Sequence, residues 1–196
     1  MQGDATGEVA AGALLTVGHG SLDVDAFAGL LEQAGVAAVV DVRRFPASRR
    51  HPHFARQALD ERLAAQGIDY RWEEALGGRR TAQAHSVNVG LRDPGFRGYA
   101  DYMGTAVFWA ALDGVLVQAR ERRTSVLCAE SVWWRCHRRL IADAAVLVRD
   151  HPVVHLFHDG RRQSHPPTPA ARREGDRLVY DRGQDRALPA LDHKTE

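Results

Sequence analysis

Both cysteines of this chain lie in one short segment, Val126-Leu-Cys-Ala-Glu130-Ser-Val-Trp-Trp-Arg-Cys136-His-Arg138. A thiolate is a nucleophile and a soft metal ligand, and a carboxylate can move a proton, so this segment is equipped for chemistry. Arg135, His137 and Arg138 beside Cys136 would favour its thiolate, which points to redox or sulfur-transfer chemistry. Cys128, Cys136 and His137 could also hold zinc with one further ligand such as His19. Their spacing, however, matches no closed zinc motif, and no metal or cofactor is expected. Glu130 follows a buried strand and suits a general base or nucleophile; its alternative role is to anchor an arginine.

Three further groups extend the list. Gly18-His19-Gly20-Ser21 places a flexible backbone and a hydroxyl where a helix begins, which suits an anion or, more simply, a cap supplied by Ser21. From Arg43 through Arg56 the chain carries five arginines and no carboxylate, a run suited to phosphate unless Asp41, Glu73 and Glu130 pair with it. Trp133-Trp134 offers a stacking surface, a lid or a piece of core.

These residues need elements to gather them. Short apolar runs at 13–17, 36–42, 68–72, 125–129 and 153–157 read as strands, and 36–42 is the β-branched run of a strand covered on both faces. Helices are expected between them. One has Val24, Phe27, Leu30 and Leu31 on a stripe ended by Gly35; a second turns Leu59 and Leu63 inward before Gly67. Helical pattern resumes over 98–103, a longer helix covers 105–120, and the last covers 132–148. The stretch 73–97 has little pattern and reads as a flap over the site.

The resulting expectation is an α/β domain of three layers, with a mostly parallel sheet of about five strands in a Rossmann-like or flavodoxin-like winding. It would occupy residues 12–160, after a loose N-terminus over 1–11 and before a polar tail over 161–196 with one hairpin near 178–180. A length of 196 residues with 44% hydrophobic content supports one such core. The 26 basic and 25 acidic side chains nearly cancel, so any anion site is local rather than a property of the whole surface. No apolar run is long enough for a membrane span, and two cysteines make no disulfide scaffold, so a cytoplasmic protein with free thiols is expected.

Parallel winding brings the residue after each strand to one rim. That rim would carry His19 and Ser21, then Asp41 and Arg43, then Glu73, then Cys128 and Glu130. The first and fourth strands are expected as neighbours, with Gly18-His19-Gly20-Ser21 opposite Glu130.

Thr16-Val-Gly-His-Gly-Ser21, Asp41-Val-Arg43, Ser48-Arg49, Tyr70, Leu76-Gly-Gly78, Tyr99-Ala-Asp-Tyr-Met103, Cys128-Ala-Glu130 and Cys136-His-Arg138 together resemble the domain of unknown function 488 family, DUF488. The resemblance runs from about Leu14 to His155 and departs at Gly20, where the family more often has a small polar residue. It implies a small α/β fold with a shared polar pocket and brings no established reaction. The leading expectation from the residues is a hydrolase or transferase acting on a nucleotide or nucleic acid, cleaving or exchanging an N-glycosidic bond. Glu130 or Asp41 would supply the carboxylate, His19 and Tyr70 would orient the base, and Arg43 and Arg49 would hold phosphate. Ser21, Ser48, Cys128, Cys136, His137 and Arg138 would complete the substrate site. The alternatives are a binding module for nucleic acid or nucleotide without turnover, and a thiol-dependent redox or sulfur-transfer protein.

Overall fold

A computed structural model describes residues 10–47 and 51–183. Five parallel strands, β1 (Leu14–Gly18), β2 (Ala38–Asp41), β3 (Asp69–Trp72), β4 (Thr124–Cys128) and β5 (Val153–Leu156), form the sheet. A sixth, β6 (Arg162–Ser164), joins antiparallel at the edge, and the order is β3-β2-β4-β1-β5-β6. Helices α1 (Val24–Gln33) and α2 (Arg56–Ala64) cover one face; α3 (Pro94–Tyr102), α4 (Ala106–Glu121) and α5 (Arg138–Arg149) cover the other.

The central strands β1, β2 and β4 are buried at every position because successive side chains enter opposite cores. Leu15, Val17, Val39 and Leu127 pack with Phe27, Leu31, Leu59 and Leu63. Leu14, Val40, Val126 and Cys128 pack instead with Phe108, Leu112, Leu140 and Ile141. This is the expected three-layer α/β architecture, with one antiparallel edge strand added. Among the described residues no helix is long and apolar enough to cross a membrane.

Three helix starts differ from the expectation: α3 begins at Pro94, capped by Asp93, instead of at 98, and the other two concern α1 and α5. Ser21 is exposed and does not cap α1; Asp23 does, accepting from the amides of Asp25 and Ala26 at 2.9 and 2.8 Å. Asp23 stands directly before the first helical residue, and its charge also suits the helix dipole. The helix expected over 132–148 is broken: a 3₁₀ turn spans Trp133–Arg135, Cys136 is extended (φ −127°), and α5 begins only at Arg138. The break lets Trp133 stack on buried His155, with ring centroids 4.2 Å apart and planes within 5°.

Residues 161–183 are packed into the domain rather than trailing from it. β7 (Ala171–Glu174) and β8 (Arg177–Tyr180) form the hairpin expected near 178–180, and Tyr180 is fully buried. Asp143 of α5, itself fully buried, accepts from His165 Nε2, the Thr168 amide and the Tyr180 hydroxyl. Hydrophobic patterning does not register contacts of this polar kind.

The expected flap is equally well tied. Its regular pieces are a 3₁₀ turn, Glu74–Leu76, and the first turn of α3 from Pro94. The Asp101 carboxylate accepts from the Gln83 amide (2.8 Å), the Ser86 hydroxyl (2.6 Å) and Asn88 Nδ2 (2.8 Å), while the Tyr99 hydroxyl donates to the Leu76 carbonyl (2.8 Å).

Candidate functional site

A cleft of about 750 Å³ opens beyond the carboxyl ends of β2, β3 and β4. Its walls come from residues 43–47 after β2, 78–79 after β3, 92–99 at the start of α3, and 128–139 between β4 and α5. The ends of parallel strands do gather the reactive groups, as the winding requires. The cleft is not where β1 and β4 meet, however. β1 and β4 are neighbours, yet their carboxyl ends touch: a Cβ on Gly18 would fall 1.7 Å from the Glu130 carbonyl oxygen. Nothing fits between them, and the opening shifts toward β2.

That shift separates the expected site residues. Glu130, Cys128, Cys136, His137 and Arg43 line the cleft; His19, Ser21, Asp41, Tyr70 and Arg138 do not. Ser48 and Arg49 lie outside the described residues.

Asp41, expected as a catalytic carboxylate, is fully buried and held by Arg43, whose Nε lies 2.9 and 3.0 Å from its two oxygens. The Tyr70 hydroxyl donates to the same carboxylate at 2.6 Å. Burial and the Asp41 charge push the Tyr70 pKa up, so it stays a neutral donor. Arg43, expected to hold phosphate, spends its other donors on the Phe54 carbonyl (2.8 Å) and His19 Nε2 (3.5 Å) and is buried. Together these residues buttress the loop after β2. The spacing itself explains the pair, since residues two apart on an extended chain share a side.

His19, expected as a catalytic residue, stacks on Phe54 at 4.1 Å and donates from Nδ1 to the Gly20 carbonyl. Burial, reinforced by the Arg43 charge, lowers its pKa from 6.5 to about 4. The unfolded chain therefore binds a proton between those values that the native chain refuses, and stability falls as pH drops from 6.5 toward 4. His155, whose pKa burial also pushes well down, acts in the same direction. Urea denaturation across this range should show that slope in the wild type and a flatter one in His19→Gln.

The cleft's charge comes mostly from residues that the sequence reading did not single out. Arg43, Arg44, Arg79, Arg92, Arg135 and Arg139 line it against two carboxylates, Asp93 and Glu130. Arg44 pairs with Glu74 at 2.9 Å, and Asp93 caps α3 through the Phe96 amide. Arg79 and Arg135 are exposed. Arg79 takes φ 57°, a left-handed conformation that costs a residue other than glycine on the order of 1 kcal/mol. The run Gly77-Gly78-Arg79-Arg80 was the available signal, obscured by the weak pattern around it.

The cleft floor carries the thiols. His137 Nδ1 lies 3.8 Å from Cys128 Sγ and 3.6 Å from Cys136 Sγ, and its Nε2 donates to the Val42 carbonyl at 3.0 Å. Arg138 is buried beneath, donating from Nε to Cys136 Sγ (3.4 Å) and from Nη2 to the Glu130 carbonyl. Burial raises the Cys136 pKa, but the Cys128 hydrogen bond and the neighbouring His137 and Arg138 side chains outweigh it and bring the thiol well below its ordinary value. Cys128, hydrogen-bonded to Cys136 and buried, is pushed up. His19, the further zinc ligand considered from the sequence, is not part of this cluster.

The described residues thus form an α/β domain with a basic cleft and a pair of thiols beyond its strand ends. The chain belongs to the DUF488 family: the model of that family, described as a domain of unknown function, matches residues 23–145. No curated protein and no solved structure matches the chain.

Proposed function

We propose that the protein is an enzyme acting on a nucleotide or nucleic-acid substrate, and that Glu130 is its catalytic carboxylate in cleavage or exchange of an N-glycosidic bond. The observation that carries this reading is the cleft's lining, six arginines and two carboxylates, with Glu130 exposed at its edge. Of these arginines, Arg43 and Arg44 pair with Asp41 and Glu74, which do not line the cleft, while Arg79 and Arg135 are exposed. Guanidinium groups pair with phosphate in a planar, bidentate way, and the cleft volume falls in the range of small-molecule sites, about 300–1,000 Å³. Phe45, Phe96 and Trp134 on its walls give a base flat surfaces to stack on. In hydrolysis, water forms a bond to the sugar carbon as the carbon–nitrogen bond breaks, and the base leaves with the electron pair and takes up a proton. Glu130 would accept the proton of the attacking water.

Glu130→Gln is expected to slow turnover by about 10²-fold or more while binding changes little. The measurement is single-turnover release of free base from a nucleotide panel, and an unchanged rate removes Glu130 from the role. The same arginines also suit a binding module without turnover. For that reading, affinity for a long oligonucleotide should fall steeply with salt while no base is released.

A further inference from the structure

We propose that Cys128, Cys136 and His137 form a zinc site on the floor of the cleft, with a fourth coordination position left for water or an oxygen of the bound ligand. The cluster is the one group of potential metal ligands of its kind among the described residues, with ligand atoms all within 4.8 Å of one another.

The distances carry the proposal. Tetrahedral zinc with Zn–S bonds of about 2.3 Å and Zn–N bonds of about 2.0–2.1 Å holds neighbouring ligand atoms about 3.5–3.8 Å apart. His137 Nδ1 stands 3.6 Å from Cys136 Sγ, the nitrogen–sulfur edge of such a tetrahedron, and 3.8 Å from Cys128 Sγ, about 0.2 Å beyond that edge. The ring is also held in the right tautomer. A carbonyl can only accept, so Nε2, 3.0 Å from the Val42 oxygen, carries the proton of the neutral ring, and Nδ1 keeps its lone pair toward the sulfurs. Arg138 Nε, 3.4 Å from Cys136 Sγ, supplies the outer hydrogen bond that a metal thiolate needs.

The backbone makes room for the same nitrogen. Gly78 lies over the His137 ring, and a Cβ there would stand 2.8 Å from Nδ1. All three ligands and Gly78 border the cleft, so an ion on them would meet whatever the arginines hold. Three protein ligands and one open position is the arrangement of catalytic rather than structural zinc. Soft thiolates with one imidazole favour zinc over magnesium or calcium. The spacing hides the site from motif searches, because the extended residue Cys136 between the 3₁₀ turn and α5 is what brings its sulfur back beside Cys128.

Each thiol gives its proton to solvent as its sulfur donates an electron pair to the ion. Binding one Zn²⁺ thus releases up to two protons and leaves the metal, two thiolates and neutral imidazole with no net charge.

The test uses the full chain, kept reduced, stripped with a chelator and titrated with Co²⁺ in the absence of any nucleotide. The expected result is saturation at one equivalent, with the intense visible bands of tetrahedral Co²⁺ and a thiolate-to-cobalt charge-transfer band, all erased by Zn²⁺. Cys128→Ser and Cys136→Ser should each weaken the charge-transfer band, and His137→Ala should weaken binding at least tenfold. A measurement on the wild type stands if a variant misfolds: Zn²⁺ should shield both thiols from a thiol reagent, and a chelator should restore their reactivity. Absence of the charge-transfer band, or thiols equally reactive with and without Zn²⁺, overturns the proposal. Neither readout involves substrate, so a failed metal site leaves the role of Glu130 standing, and an inert Glu130 leaves the metal site standing.

Discussion

Asp143→Ala is expected to destabilise the protein by about 3–5 kcal/mol, since it leaves three buried donors unpaired at about 1–3 kcal/mol each. Asp143 is fully buried and accepts from His165 Nε2 at 2.9 Å, the Thr168 amide at 2.8 Å and the Tyr180 hydroxyl at 3.1 Å. The bonds form one directed chain: the Thr16 hydroxyl donates to His155 Nδ1 (2.6 Å), His155 Nε2 to His165 Nδ1 (2.9 Å), and His165 Nε2 to the carboxylate. Losing the terminal acceptor leaves three donors unpaired inside the domain, each at a desolvation cost. A whole domain has only about 5–15 kcal/mol to lose. Urea denaturation should show the midpoint collapse, and hydrogen exchange should show residues 162–183 opening before the five parallel strands do. Tyr180→Phe, which removes one donor and keeps the ring, should cost about 1 kcal/mol. A loss below that value in Asp143→Ala would mean that the C-terminal segment is held by something other than this network.

Arg43→Ala is expected to cost a similar amount, about 3–5 kcal/mol, because it strands the buried Asp41 carboxylate without its cation. The Phe54 carbonyl and His19 Nε2 would lose a donor as well. The contrast with the exposed arginines is diagnostic. Arg79→Ala and Arg135→Ala should leave the denaturation midpoint nearly unchanged and weaken phosphate-dependent binding, with a shallower salt dependence. If Arg43→Ala folds with wild-type stability and loses binding alone, Arg43 is a ligand contact and not a buttress.

The five parallel strands and the rim they build were legible from the sequence, because a run such as 36–42, apolar on both sides, suits a strand covered on both faces. Parallel winding then predicts that Cys128, Glu130 and Arg43 meet, and they do. Which rim groups face the cleft was not legible. That depends on contacts such as Gly18 pressed against the Glu130 carbonyl, which closes one gap and leaves the next open. Asp41 and Arg43 looked reactive for the same reason that they are structural, since opposite charges two apart on an extended chain find each other first. The segment after 160 looked like a tail because its anchors, His165, Thr168 and Tyr180, bind a single buried carboxylate instead of forming an apolar stripe. Arg79, Arg92 and Arg139 were passed over in favour of the denser run near Arg43, and Arg135 was read only as a neighbour of Cys136, although the winding brings all four to the same cleft.

The most direct test is a crystal of the full chain soaked with a panel of nucleotides. A phosphate within hydrogen-bonding distance of the cleft arginines, with the glycosidic carbon beside Glu130, is the predicted result. Nucleotide bound elsewhere with the cleft left empty would contradict the assignment of this basic opening as the place where the protein works.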